Sequence, residues 1–257
     1  MPPANEKIAA LLEAKLRKIP LVALTAFDYP SARLLDEADV DVILVGDSLG
    51  MVVLGYEDTT FVTLEEMLHH TRACRRGVER ALLVGDLPFK TYETPDQAVE
   101  SATQLISAGA DLVKLEGGTE KLPEIQAILE AGIPVVGHIG MLPQHVRVEG
   151  GYKKKGKTPA GAAKLKRDAT TLAEAGVSAI VLEGMVAALA AEITEECSVP
   201  TIGIGAGKAC DGQILVLHDL IGAFPWFRPK FAANHADVAG EISRAVRTFS
   251  GDVRERR

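Results

Sequence analysis

The sequence predicts a single (β/α)8 barrel spanning residues 1–257, and three observations carry that expectation. Eight short runs rich in Val, Ile and Leu recur along the chain, helical periodicity fills most of the intervals, and no linker or composition break marks a domain boundary. The runs are continuous and not alternating, as expected of strands buried on both faces of a parallel sheet. A doubly wound open sheet is the alternative, because periodicity does not say whether the sheet closes.

In chain order the expected strands are 21–25, 42–45, 81–84, 112–115, 133–136, 179–182, 201–204 and 214–217. Residues 94–107 read as a helix. Thr94 can cap it, Pro95 suits its first turn, Ala98, Ala102, Leu105 and Ile106 recur at helical spacing, and Gly109 ends it. Residues 164–174 read as another, closed by Gly176. Two segments, 46–63 after the second strand and 138–157 after the fifth, are longer than ordinary connections, and loops of that length in a compact domain are usually functional. The second holds Gly150, Gly151, Tyr152 and the lysines Lys153, Lys154, Lys155 and Lys157, and reads equally as a solvated surface or as a lid over a substrate.

Composition excludes several functional classes. With 28 Lys+Arg against 35 Asp+Glu, the net charge of −7 offers no global basic field, so nucleic acid is not the expected partner. No apolar run approaches the roughly 18 residues of a membrane span, and MPPANEKIAA lacks the basic-then-apolar order of a secretory signal. A cytoplasmic protein is expected. Cys74, Cys197 and Cys210 are odd in number and widely spaced, which fits buried free thiols better than a disulfide framework or a zinc site.

Nearly every apolar run ends in a polar residue: Asp28, Asp47 with Ser48, Asp86, Lys114 with Glu116, His138 and Glu183. In a parallel barrel all strand C-termini open on one rim, so these residues would converge. Asp28 alone reads best as a helix cap. Asp47, Asp86 and Glu116 on one rim would repel one another unless a cation neutralised them, and an all-oxygen set suits Mg²⁺. Lys114 and Glu116 lie two apart, hence on one face; Lys114 could bind a substrate carboxylate or simply pair with Glu116. Partial burial of Glu183 at the end of SAIVLE would raise its pKa toward that of a useful general base. The glycines Gly203, Gly205 and Gly207 match no phosphate-loop spacing and read as close backbone packing.

The ordered segments GDSLGMVVLGYEDT, GDLPF, AGADLVKLEGG, GIPVVGHIGMLPQ, GGYKKKGK, VLEGM and VPTIGIGAGKACDGQILVLHD, running from about Leu21 to Phe231, resemble the ketopantoate hydroxymethyltransferase family. That resemblance implies a (β/α)8 barrel that transfers a hydroxymethyl group from 5,10-methylenetetrahydrofolate to 3-methyl-2-oxobutanoate by way of a Mg²⁺-stabilised enolate. The product is 2-dehydropantoate, on the route to pantothenate and coenzyme A, and bacterial members form homodecamers. It further implies Asp47, Asp86 and Glu116 as metal ligands, Asp47, Ser48, Asp86 and Lys114 as the substrate-binding set, and Glu183 as proton acceptor. His138 is left between a hydrogen-bonding and a purely structural role. The chain departs from the family pattern at Leu142, where Thr is usual, and in the extra lysines of GGYKKKGK, which could attract the glutamate tail of a polyglutamylated folate.

Two rival readings remain at this level. One is a metal-dependent α-keto-acid C–C lyase or mutase of the isocitrate lyase or phosphoenolpyruvate mutase type, against which stands the lack of a KKCGH-like stretch. The other is a catalytically silent barrel, which has no physical reason to keep clustered, mutually repelling carboxylates.

Overall fold

The structure is a computed structural model that describes residues 4–232 and 234–256. Its contacts divide the chain into two compact units, Met1–Ile214 and Leu215–Arg257.

Eight strands form a closed barrel in sequence order: β1 Leu21–Thr25, β2 Val42–Val45, β3 Leu82–Asp86, β4 Leu112–Glu116, β5 Val135–Gly140, β6 Ala179–Glu183, β7 Thr201–Ile204 and β8 Gly212–Leu215. Pairing from β1 through β8 is parallel. Closure removes the open-sheet alternative. Five strands differ from the apolar runs that announced them. β3, β4, β5 and β6 extend to Asp86, Glu116, Gly140 and Glu183, because a polar residue or glycine at a strand end is invisible to an apolar-run criterion. β8 begins two residues early, at Gly212 and Gln213, and residue 217 belongs to the next helical turn, Leu217–Leu220. The link from β7 to β8 holds no helix, so the strand-helix repeat is interrupted there.

Alternate residues on the strands fill the barrel interior, including Val42, Leu44, Val84, Leu112, Val136 and Val181. Leu11, on the N-terminal helix Ala4–Leu16, joins this apolar cluster, and Lys7 of the same helix donates to the backbone oxygens of Ala81, at 2.9 Å, and Glu79. The helix thereby closes one end of the barrel. On β4 the inward face passes from Leu112 to Lys114, so the apolar interior gives way to charge two residues later.

The expected helix signals operate as local chemistry. Thr94 accepts from the Gln97 amide at the start of the helix Pro95–Ser107. Thr158 caps the helix Pro159–Ala175, which is longer than expected because its first turn is Pro-Ala-Gly-Ala, and Gly176 closes it in the left-handed region at φ +95°. Gly203 has a packing reason: a Cβ there would stand 2.8 Å from Cys210 Sγ. All three cysteines are free and buried.

The second unit contains the single turn Leu217–Leu220 and the helix Val238–Glu255, capped by Asp237 on the Gly240 amide. Among the described residues, no helix is long and apolar enough to cross a membrane.

Candidate active site

The C-terminal ends of β2 to β6 bring the charged residues together, and the register of the barrel explains why. Asp86 is paired across the sheet with Lys114, Glu116 with His138, and Gly140 with Glu183. Asp47 follows β2 by two residues. Asp47, Asp86, Lys114, Glu116 and His138 are all buried, and Glu183 keeps 13% of its side chain exposed, the most open of the group.

Lys114 is the central cation. Its Nζ lies 2.9 Å from Asp86 Oδ1 and 3.2 Å from His138 Nδ1. Its partner is therefore Asp86 of the neighbouring strand, not Glu116 of its own. Burial works to lower the Lys114 pKa, yet Asp86, Glu116 and Asp47 together hold it above the ordinary lysine value. His138 is held neutral, well below its usual pKa, by burial and by the Lys114 charge. A neutral imidazole facing a lysine ammonium through Nδ1 accepts there, which places its proton on Nε2. That Nε2 lies 3.2 Å from Glu183 Oε2.

The acids experience the opposite pressure. Burial, then the charge of Asp86, pushes Asp47 up to about 7. Burial raises Glu116 well above the carboxylate range against the pull of Lys114. Burial likewise brings Glu183 to about 7, with Lys114 opposing. The Glu183 main chain is pinned by a close approach: its oxygen accepts from the Met141 amide at 2.8 Å, and a Cβ on Gly140, whose φ is +106°, would lie 2.2 Å from that same oxygen. Only glycine fits there.

Ser48 follows Asp47 at the start of the single turn Leu49–Val52 and is half-buried, and its side chain makes no capping hydrogen bond. Asp28 does not join the group; its carboxylate caps the helix Tyr29–Glu37 by accepting from the Ser31 amide. His69 and His70 lie on the helix Leu64–Arg75, with His70 Nδ1 turned to the Phe27 carbonyl oxygen.

Two residues that carry no expectation in the sequence stand inside the site. Gln144 donates through Nε2 to Asp47 Oδ2 at 2.9 Å and to the Leu87 oxygen at 3.0 Å, and its backbone N–H donates to Glu116 Oε2 at 3.0 Å. Tyr92 donates its hydroxyl to Gln144 Oε1. Their sequence signal is only indirect: Gln144 ends the segment GIPVVGHIGMLPQ, and Tyr92 lies six residues past the end of β3.

The two long loops meet above this pocket. Arg147 Nε donates to Asp58 Oδ2 at 2.7 Å, with its guanidinium over the Phe61 ring, and Tyr152 Oη lies 3.6 Å from Met51 Sδ. Lys155 pairs with Glu149, whereas Lys154 and Lys157 are exposed.

The model of the ketopantoate hydroxymethyltransferase family matches residues 5–257. The chain belongs to this family. Among curated relatives, a 3-methyl-2-oxobutanoate hydroxymethyltransferase from Oleidesulfovibrio alaskensis is 52% identical over 96% of this chain and 86% of its own. One from Ignicoccus hospitalis is 52% identical over 91% and 89%. Solved structures that share the fold include a phosphonopyruvate hydrolase, with TM-score 0.65 and 16% identity over 97% of this chain and 87% of that one. A phosphoenolpyruvate phosphomutase from Streptomyces platensis subsp. rosaceus gives TM-score 0.67 and 15% identity over 100% and 89%. At such identity these two speak to the barrel alone, so the lyase or mutase alternative is a likeness of fold, and the family assignment makes the chain a hydroxymethyltransferase, an enzyme.

Proposed function

We propose that this chain transfers a hydroxymethyl group from 5,10-methylenetetrahydrofolate to 3-methyl-2-oxobutanoate, with a divalent cation, Mg²⁺, in the pocket. The observation that carries the reading is the pairing of a carboxyl held near pKa 7, Glu183, with a buried ammonium, Lys114, across one imidazole. That sets an acid-base group and an anion-binding group on either side of one imidazole, which suits removal of a proton next to a keto acid.

The residues also fit the cation. Asp47, Asp86 and Glu116 supply only hard oxygen donors, and Glu116 Oε1 is buried without a hydrogen-bond donor. Among the described residues no group of three or more His, Cys, Asp or Glu side chains is set to hold a metal ion by itself. Mg²⁺ commonly takes one or two carboxylates and completes its shell with substrate oxygens and water. Asp47 and Asp86 would hold it, with Glu116 as ligand or through water. When bound, the cation polarises the keto oxygen of the substrate.

Lys114 and Ser48 bind the keto-acid end and fix its orientation. Glu183 removes the proton from C3, the electron pair of the C–H bond becomes that of the enolate, and the proton stays on the carboxyl. Water takes the one-carbon unit off the donor as formaldehyde and frees tetrahydrofolate, C3 adds to the carbonyl carbon, and the resulting alkoxide takes the proton back from Glu183 to give 2-dehydropantoate. A neutral His138 with its proton on Nε2 faces the base without adding charge to it. The joined loops 46–63 and 138–157 exclude water above the reacting carbon. A homodecamer in the cytoplasm completes the proposal.

The test is reconstitution. Purified protein, 3-methyl-2-oxobutanoate, 5,10-methylenetetrahydrofolate and Mg²⁺ are expected to yield 2-dehydropantoate, and omission of the folate is expected to stop it. Cleavage of a C–C bond in a 2-hydroxy or phosphonate acid, with no hydroxymethyl product, would favour the lyase or mutase reading instead.

A further inference from the structure

Gln144 saturates every polar atom of its side chain inside the acid cluster. Its Nε2 has two hydrogens and two acceptors, Asp47 Oδ2 and the Leu87 carbonyl, and its Oε1 receives the Tyr92 hydroxyl. The Leu87 carbonyl carries no hydrogen, nor does Asp47 when ionised, so together they admit the NH₂ end of the amide. A flipped amide would set Oε1 against two oxygens. The orientation is thus fixed from both sides, and the Tyr92 hydroxyl, itself buried, is the donor that Oε1 needs.

The consequence is a division of labour among carboxylate oxygens. Gln144 occupies Oδ2 of Asp47 through its side chain and Oε2 of Glu116 through its backbone N–H. Glu116 Oε1 is left buried with no donor, and because Gln144 takes Oδ2 of Asp47, Oδ1 is the oxygen opposite that bond. A carboxylate with one oxygen tied and the other bare cannot rotate freely and presents a single lone-pair set to a ligand.

We propose that Gln144, held in orientation by Tyr92, is a positioning residue that ties one oxygen each of Asp47 and Glu116 and so aims the opposite oxygens, Asp47 Oδ1 and Glu116 Oε1, at the pocket's cation. The assignment rests on the reading of this pocket as a cation and keto-acid site. Gln144 itself touches neither reacting atom; it acts through the two acids. Tyr92 acts one step further out, through Gln144.

The experiment measures Mn²⁺ binding to the full-length protein without substrate, by electron paramagnetic resonance, for the parent, Tyr92→Phe, Gln144→Met and the double variant. Loss of such an outer partner typically weakens metal affinity by about 10–100-fold. Gln144→Met is expected to weaken Mn²⁺ by more than tenfold and Tyr92→Phe by about three- to tenfold. The double variant is expected to be no weaker than Gln144→Met, because Tyr92 has nothing left to orient. Thermal unfolding of Tyr92→Phe, a change of one oxygen, checks that the fold is intact, and KM for 3-methyl-2-oxobutanoate is expected to rise in step with the Mn²⁺ constant. Variant affinities within twofold of the parent, or strictly additive losses in the double variant, would overturn the assignment alone. A parent that binds no Mn²⁺ would overturn the cation reading and this assignment with it.

Discussion

Lys114 Nζ and Asp86 Oδ1 stand 2.9 Å apart with both side chains almost wholly out of solvent, and this ion pair links two adjacent strands at the mouth of the barrel. Asp86 uses its other oxygen to accept from the Asp47 amide at 3.1 Å. One ammonium therefore offsets a cluster of acids that have little other cationic support.

Removing that ammonium should be costly. Lys114→Met leaves Asp86 buried beside Asp47 without its counter-charge, and a broken buried pair typically costs about 3–5 kcal/mol. Urea unfolding at pH 8 is expected to register a loss of that order, together with loss of turnover. A change below about 1 kcal/mol would mean that the charge is balanced elsewhere.

Glu183 makes the opposite prediction for stability. Its carboxyl ionises near 7 in the fold and near 4.5 in an unfolded chain. Between those values the folded state holds the extra proton, so the group subtracts stability as pH rises through the window, and above about 7 the penalty is complete. Glu183→Gln removes it. The inactive variant is expected to exceed the parent by about 1–3 kcal/mol at pH 8 and to lose that advantage by pH 4.5, as followed by chemical denaturation. In the parent, kcat/KM for the keto acid is expected to rise with pH and level off above about 7, since only the ionised carboxyl accepts a proton.

Ser48 separates binding from folding. Its side chain caps nothing, so Ser48→Ala is expected to leave the unfolding temperature within about 2 °C while raising KM for the keto acid by about tenfold, the worth of one hydrogen bond to a charged group. Steady-state kinetics beside a thermal melt reads both. An unchanged KM would remove Ser48 from the substrate-binding set.

The loop after β5 is tested at Gly151. A Cβ there would meet nothing within 4 Å, yet its φ of +117° suits glycine alone. Gly151→Ala therefore disturbs the backbone without a steric clash. It is expected to raise KM for the folate donor several-fold with little effect on global stability, in keeping with a lid. Unaltered donor kinetics would return the segment to plain surface.

The barrel was legible because its strands are runs of Val, Ile and Leu, and burial on both faces demands that composition. The rim was legible for the same reason in reverse: Asp47, Asp86, Lys114, Glu116 and Glu183 are conspicuous where apolar runs stop. What the sequence could not state was who partners whom. Lys114 sits two residues from Glu116, but register across β3 and β4 gives it Asp86. Gln144 and Tyr92 were legible only indirectly, since neutral residues in loops carry no periodicity and show their role only through the acids they contact.

In the proposed reaction Glu183 takes the proton from C3. The most direct measurement is exchange of that hydrogen of 3-methyl-2-oxobutanoate in deuterated water, followed by proton NMR with Mg²⁺ present and no folate, for the parent and for Glu183→Gln. Metal-dependent exchange is expected in the parent, with a loss of about a thousandfold in the variant, within the range of a general base. Exchange at an undiminished rate in Glu183→Gln would contradict that role.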